Sequence, residues 1–298
     1  MNTKTYISTF VTELQTRLIS SLLIVILITS SALALALYLD DQYKSQALLK
    51  HSEDSLNNGF APSSPIGGIA ALGGINLGQG SIDPIDYSIE VIKSREFLSH
   101  LLKIGLVKAN LVAIDYYDPK KQKIFYDTRI YDLQNNKWKD ELKKFKKVEP
   151  NVLEVHKKYY LENLTLTKNR TTGFLLITFQ HESPIFAKEF IDLIIEEFNK
   201  IERREDLDES QKKMAFLMQR NSETLNQEVK QAVSQLMENE LKKIAYSSTK
   251  IDYMLEVIDP AYLPNKADFP SRLIIIALAL MLSIFLVLIR IHIIILLK

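Results

Sequence analysis

With 298 residues, a net charge of +1 and no cysteine, the chain lacks the basic field of a nucleic-acid binder. It can form neither disulfides nor thiolate metal sites. Where its apolar residues fall along the chain then decides what class of protein it is.

From Leu18 to Leu39 run 22 residues without an ionisable side chain, between Arg17 and Asp40. At about 1.5 Å per helical residue this is roughly 33 Å, enough to cross a hydrocarbon core. Lys4 and Arg17 before it, and Ala34-Leu35-Ala36 within it, would also suit a cleaved secretory signal. The run is too long for a signal core of about 7–15 residues, so an uncleaved anchor is expected.

Residues 40–58 are polar and mixed. Seven of the nine glycines then fall between Gly59 and Gly80, which predicts a special-geometry loop. Gly73 and Gly78 have P-loop separation, but Gln79-Gly80 follows where a Lys and a Ser or Thr would be needed, so a nucleotide cradle is not expected. A helix is predicted over 84–104 from Ile85, Ile89, Ile92, Phe97 and Leu101, and strands or irregular structure over 111–118 and 122–131. The basic stretch 136–148 reads as a solvated helix face. Leu161–Leu166 and Gly173–Phe179 are strand candidates.

Ser183-Pro184 is a helix start, Ser as cap and Pro at the first helical position. The helix it opens carries Phe186, Phe190, Ile194 and Phe198 on one face and should end near Arg203, before the acidic break 205–208. A second helix is expected over about 209–247, without Gly or Pro. Its near-heptad stripe is Met218, Leu225, Val229, Ala232, Leu236 and Leu241. Such a stripe needs another helix, from the same chain or from a copy of it. Leu225, Val229 and Leu236 are the positions expected to make protomer contact, with packing inside their own protomer as the alternative.

Val257 to Pro264, then Pro270, read as a stiff extended connector. Pro260, Pro264 and Pro270 are expected to place the domain. A second apolar run covers 17 residues from Leu273 to Ile289, is interrupted by Arg290 and His292, and resumes to Leu297; Arg290 can snorkel to the interface. Basic residues in both short tails put both termini in the cytoplasm and the 232 residues from Asp40 to Ser271 on the far side. The five histidines form no HExxH or close pair, and GxSxG is absent. No metal, cofactor or catalytic residue is therefore expected, and the chain reads as a non-enzyme.

The residues from Thr172 to Leu288 resemble the chain-length determinant family, the polysaccharide co-polymerases that act with O-antigen and related polymerases. The resemblance rests on an ordered set: Thr172-Gly173-Phe174 and a strand, Ser183-Pro184 with Ala187, Asn199, and a long amphipathic helix. Val257-Ile258-Asp259-Pro260-Ala261, Pro264, Pro270 and a final span close it. The stretch Gly67–Gly80 is similar to the glycine-rich loop of several members. The chain departs from many members in having Ala277, Ala279 and Ser283 as the small residues of its final span, where they carry glycines. With only a short tail after that span, the fused kinase that some members carry is not expected.

The resemblance implies an α+β fold, with two transmembrane helices flanking a membrane-proximal periplasmic α/β domain that bears a long extended helix. The expected layout is a cytoplasmic tail (1–17), a first span (18–39), a periplasmic domain (40–271, long helical region about 184–250), a second span (272–290) and a short tail (291–298). It also implies a closed homo-oligomeric ring in the inner membrane, partnered by a membrane polymerase and a growing lipid-linked glycan, that regulates polysaccharide chain length. A polysaccharide export bridge and a two-span periplasmic sensor or adaptor share parts of this layout.

Overall fold

The computed structural model describes residues 12–13, 15–52, 83–139 and 149–296. The expectations for the glycine-rich segment 59–80, for Lys4 and for most of the basic stretch 136–148 lie outside the described residues. The chain divides into two units, residues 1–43 with 265–298, and residues 44–264.

The first unit contains two helices, α1 (Leu18–Tyr38) and α8 (Arg272–Leu296), both long and apolar enough to cross a membrane. They pack on each other. On α8 the buried positions recur every fourth residue: Ala279, Ser283, Val287, Ile291 and Ile295. That spacing is one ridge of a helix surface. Ser21 and Ala36 are the buried positions of α1, and Ile24 and Val25 pack against the Val287–Ile291–Ile295 cluster. Small residues at Ala279 and Ser283 let the backbones approach where no glycine is available. Most other large side chains of both helices, such as Ile19, Leu27, Leu273 and Met281, are exposed, as lipid-facing residues would be. Two apolar helices, one near each end, fit a two-pass membrane protein.

The ends of this pair are pinned by polar contacts. Gln42 N–H donates to the Phe269 carbonyl at 2.8 Å, and Arg272 is 2.7 Å from Asp41. At the opposite end, Arg290 Nη1 donates to Ser20 Oγ at 3.2 Å.

The second unit is α+β. Its four-stranded sheet has the order β6-β7-β1-β8, with β1 at Tyr43–His51, β6 at Leu164–Lys168, β7 at Leu175–His181 and β8 at Leu255–Asp259. β6 pairs antiparallel with β7 from Leu164↔Phe179 to Lys168↔Leu175, and β8 pairs antiparallel with β1 from His51↔Leu255. Strand β1 was not expected. It alternates Ser45, Ala47 and Leu49 inward with Lys44, Gln46 and Lys50 outward, and a serine at an inward position disguises the period of two. Ser45 is tolerated there because its hydroxyl donates to the Tyr262 carbonyl at 2.7 Å.

The helix expected over 84–104 is two, α2 (Pro84–Lys93) and α3 (Arg95–Leu101). Ser94 ends the first and caps the second, accepting from Phe97 N–H at 3.1 Å. Helix α4 (Val107–Val112) takes the first two residues of the strand expected over 111–118, leaving β2 at Ile114–Asp118 paired with β3 at Lys123–Tyr126. A short hairpin follows, β4 (Tyr131–Asp132) with β5 (Lys137–Trp138). Helix α5 (Val152–Val155) then runs into one turn of π-helix at His156–Tyr160.

The core is built by α6 (Pro184–Glu223) against the sheet, chiefly β7. Phe186, Phe190, Ile191, Ile194 and Phe198 meet Leu175, Ile177, Phe179, Leu49 and Leu255 there. Burying each such side chain is worth about 1.5–3 kcal/mol. Ser183 caps α6 as expected, accepting from Phe186 N–H, and Pro184 occupies its first turn.

The expected break at 205–208 is absent, and α6 runs unbroken for 40 residues, roughly 60 Å. Its acidic residues are offset by Lys212 at 2.5 Å from Asp208, Lys213 at 2.6 Å from Glu209 and Lys243 at 2.6 Å from Asp206. Oppositely charged pairs four apart favour the helix. The break comes instead at Thr224-Leu225-Asn226, where α7 (Gln227–Thr249) begins. Thr224 Oγ1 donates to the Arg220 carbonyl, while Asn226 Oδ1 accepts from the Glu228 and Val229 N–H groups. Two polar side chains thus end one helix and start the next without a glycine or proline.

Candidate functional site

Helices α6 and α7 pack along each other as a hairpin. Its interior holds Ser210 and Met214 of α6 and Val233 and Ser247 of α7, all buried. The stripe picked out by heptad spacing lies elsewhere. Leu225 is 96% exposed at the tip, and Val229, 44% exposed, is partly covered by its own chain. Leu236 is half-buried. Phe216, Met218 and Leu241 are exposed as well, and the Arg220 guanidinium lies over the Phe216 ring. The hairpin thus carries an outer set of large apolar side chains that its own fold leaves uncovered.

The root of the hairpin is polar and closely connected. Asp206 of α6 accepts from Tyr253 OH at 2.7 Å and from Lys243 of α7 at 2.6 Å, and Ser247 Oγ lies 3.1 Å from Tyr253 OH. Arg203 reaches the Lys250 carbonyl at 3.3 Å. One turn earlier, Glu202 is buried and accepts from Tyr87 OH of α2, at 3.2 and 3.3 Å to its two oxygens. Burial, and then the nearby Glu205 and Asp206, push the Glu202 carboxyl up to about 7. Burial and the Glu202 charge push the Tyr87 phenol up to about 12.

Glu197 is the contrasting carboxylate. Burial alone would raise it, but hydrogen bonds from Lys200 at 2.8 Å and His100 at 2.6 Å hold it below the usual range. Between them on α6, Asn199 binds strand β8. Its Oδ1 accepts from the N–H groups of Met254 and Leu255, and its Nδ2 donates to the Leu255 carbonyl. A groove of about 240 Å³ opens beside it, lined by Asp192, Glu196, Lys200, Arg203, Asp252 and Val257 among others.

At the start of α6, His181 is buried and fully paired. Ser183 N–H donates to its Nδ1 at 3.1 Å, so Nε2 carries the proton and donates to the Asn110 carbonyl at 3.0 Å. Burial holds the imidazole down at about 4. Among the described residues no three His, Asp or Glu side chains converge as a metal site requires.

The expected connector prolines fall in different units. Pro260 is exposed and Pro264 buried in the second, while Pro270 is buried in the first and follows a cis peptide bond from Phe269. Sequence reasoning noted Asn199 as part of a motif, without its partner. It missed Glu202, Tyr87 and Tyr253, whose contacts join distant segments.

No protein-family model matches the chain, and no curated protein matches it. Among solved structures, a full-length bacterial polysaccharide co-polymerase is similar over 95% of both chains, with a TM-score of 0.37 and 11% identity. A fragment of WzzB, a polysaccharide co-polymerase from Salmonella Typhimurium, is similar over 77% of this chain and 100% of its own, with a TM-score of 0.29 and 14% identity. These structural neighbours are bacterial polysaccharide co-polymerases.

Proposed function

We propose that this chain is a polysaccharide co-polymerase of the bacterial inner membrane. It sets the length of a surface polysaccharide, O-antigen or a related glycan, without catalysing the polymerisation. The observation that carries the reading is the α6–α7 hairpin. Its outer apolar residues, Leu225, Val229, Phe216 and Met218, are uncovered in the single chain, and side-by-side copies would bury them.

Both ends of the chain are anchored by an apolar helix, so copies meet in one plane. Successive head-to-tail contacts in a plane close into a ring. Arg17 and Arg290 lie toward the same end of the helix pair, Arg290 bonded to Ser20. By the preference of basic residues for the cytoplasmic side, this favours cytoplasmic termini and a periplasmic domain over 40–271. The ring acts with a membrane polymerase on a lipid-linked glycan and biases how many repeats are added before release.

The test is the banding of surface polysaccharide on a gel after deletion and restoration of the gene. Loss and return of a preferred length supports the proposal. Polymer that vanishes from the surface and accumulates inside overturns it in favour of an export bridge, and unchanged bands overturn both.

A further inference from the structure

Core side chains of α6 extend to Phe198 and the half-buried Ile201, and the hairpin interior begins near Asp206 and Ser210. Glu202 sits between these two regions, 8% exposed. Its partner is the hydroxyl of Tyr87, 115 residues earlier on α2. No cation is among its hydrogen-bond or ion-pair partners in the described residues. Lys243, on the facing helix α7, is bound to Asp206, and Arg203 to the Lys250 carbonyl. The charged groups that bear on Glu202 are Glu205 and Asp206 of its own helix, both acidic. From the 250–254 segment, Tyr253 donates to Asp206.

A buried carboxylate in that setting has one donor and two anionic neighbours. Its neutral form suits the site better, because burial penalises the charged form and like charges repel it. We infer that Glu202 is a proton-controlled lock at the root of the hairpin: the buried carboxyl stays seated against α2 beside Tyr87 while it holds its proton, and ionisation, which burial and the two acidic neighbours oppose more than the Tyr87 hydroxyl favours, loosens that seat. The ligand of this site is the proton itself. A domain on the far side of a cytoplasmic membrane is exposed to external pH, so the lock would tie the hairpin's hold on α2 to the acidity outside the cell.

The raised carboxyl is consistent with this and sets the window. A group held above its unfolded value stabilises the fold at low pH, and that contribution fades as pH rises from about 4.5 toward 7. The test is amide hydrogen exchange of the full chain in detergent at pH 5.5 and pH 8, corrected for intrinsic rates. Protection over residues 199–210 and 84–93 should fall at least tenfold at the higher pH, because an opening coupled to the loss of one proton changes about tenfold per pH unit. Glu202→Gln should keep the low-pH protection at both values.

Equal pH dependence in wild type and variant, or none in wild type, overturns the inference. Should Glu202→Gln fail to fold, Tyr87→Phe serves. It removes the hydrogen bond that favours the ionised form, so the transition should move to higher pH. An unmoved transition in that variant counts against the lock.

Discussion

The side-chain amide of Asn199 occupies the place that a neighbouring strand would hold beside Leu255. Its Nδ2 donates to the Leu255 carbonyl at 2.8 Å, and its Oδ1 accepts from Leu255 N–H at 2.8 Å and Met254 N–H at 2.9 Å. β8 is the last strand of the sheet, and an edge offers unpaired backbone groups to any passing chain. Asn199 closes the first step of that edge and ties α6 to it. Asn199→Ala removes the partner of three backbone groups, the two of Leu255 buried and that of Met254 part-buried, at a cost of about 3 kcal/mol. The thermal midpoint should fall by roughly 6–12 °C. Exchange of the Leu255 amide should accelerate with it, and an unchanged amide would count against the plug.

Stability and assembly should separate within the hairpin. Leu225→Glu changes a residue that is 96% exposed, so the fold should hold to within about 0.5 kcal/mol. If copies bury the tip, the same variant should shorten the ladder of cross-linked oligomers. Met214→Ala, in the interior, should do the reverse: about 2–4 kcal/mol lost, with the contact surface intact.

Two buried groups impose opposite slopes on stability against pH. His181 is held at about 4 by burial. Its contribution is complete above about 6.5 and is lost as pH falls toward 4, because protonating Nδ1 displaces the Ser183 N–H. Glu202 works in the other direction between about 4.5 and 7. Urea midpoints of Glu202→Gln should therefore fall steadily from pH 6.5 to pH 4.5, and adding His181→Gln should flatten the curve. A curve equally steep in the double variant would rule out His181 as its source.

In the first unit, the ridge Ala279–Ser283–Val287–Ile291 should tolerate no enlargement at its small end. The chain has no native cysteine, so Ile24→Cys with Val287→Cys, two positions of one cluster at the level set by the Arg290–Ser20 contact, should cross-link within the chain. Ala279→Leu should lower its yield severalfold by forcing the helices apart, whereas Leu278→Ala, at an exposed position, should leave it unchanged.

Much of this organisation was legible from local rules. Two apolar runs marked the two helices, and Ser183-Pro184 located the start of α6. The span from 184 to about 250 read as helical, and α6 and α7 occupy it apart from the break at Thr224-Leu225-Asn226. Those features depend on hydropathy, helical period and capping within a few residues of each other. The break itself escaped because Thr224 and Asn226 are ordinary helix-compatible residues until their side chains are seen capping. The expected break at 205–208 is absent because lysines pair with its acidic residues, Lys212 with Asp208 one turn on and Lys243 with Asp206 from 37 residues away. Strand β1 was hidden by an inward serine whose partner, Tyr262, lies 217 residues on. Tertiary structure alone decided that Asn199 meets Leu255, that Tyr87 meets Glu202, and that the tip stripe is uncovered. A carboxylate's burial and partner are properties of the packed chain, and no spacing within a helix encodes a contact made across 115 residues.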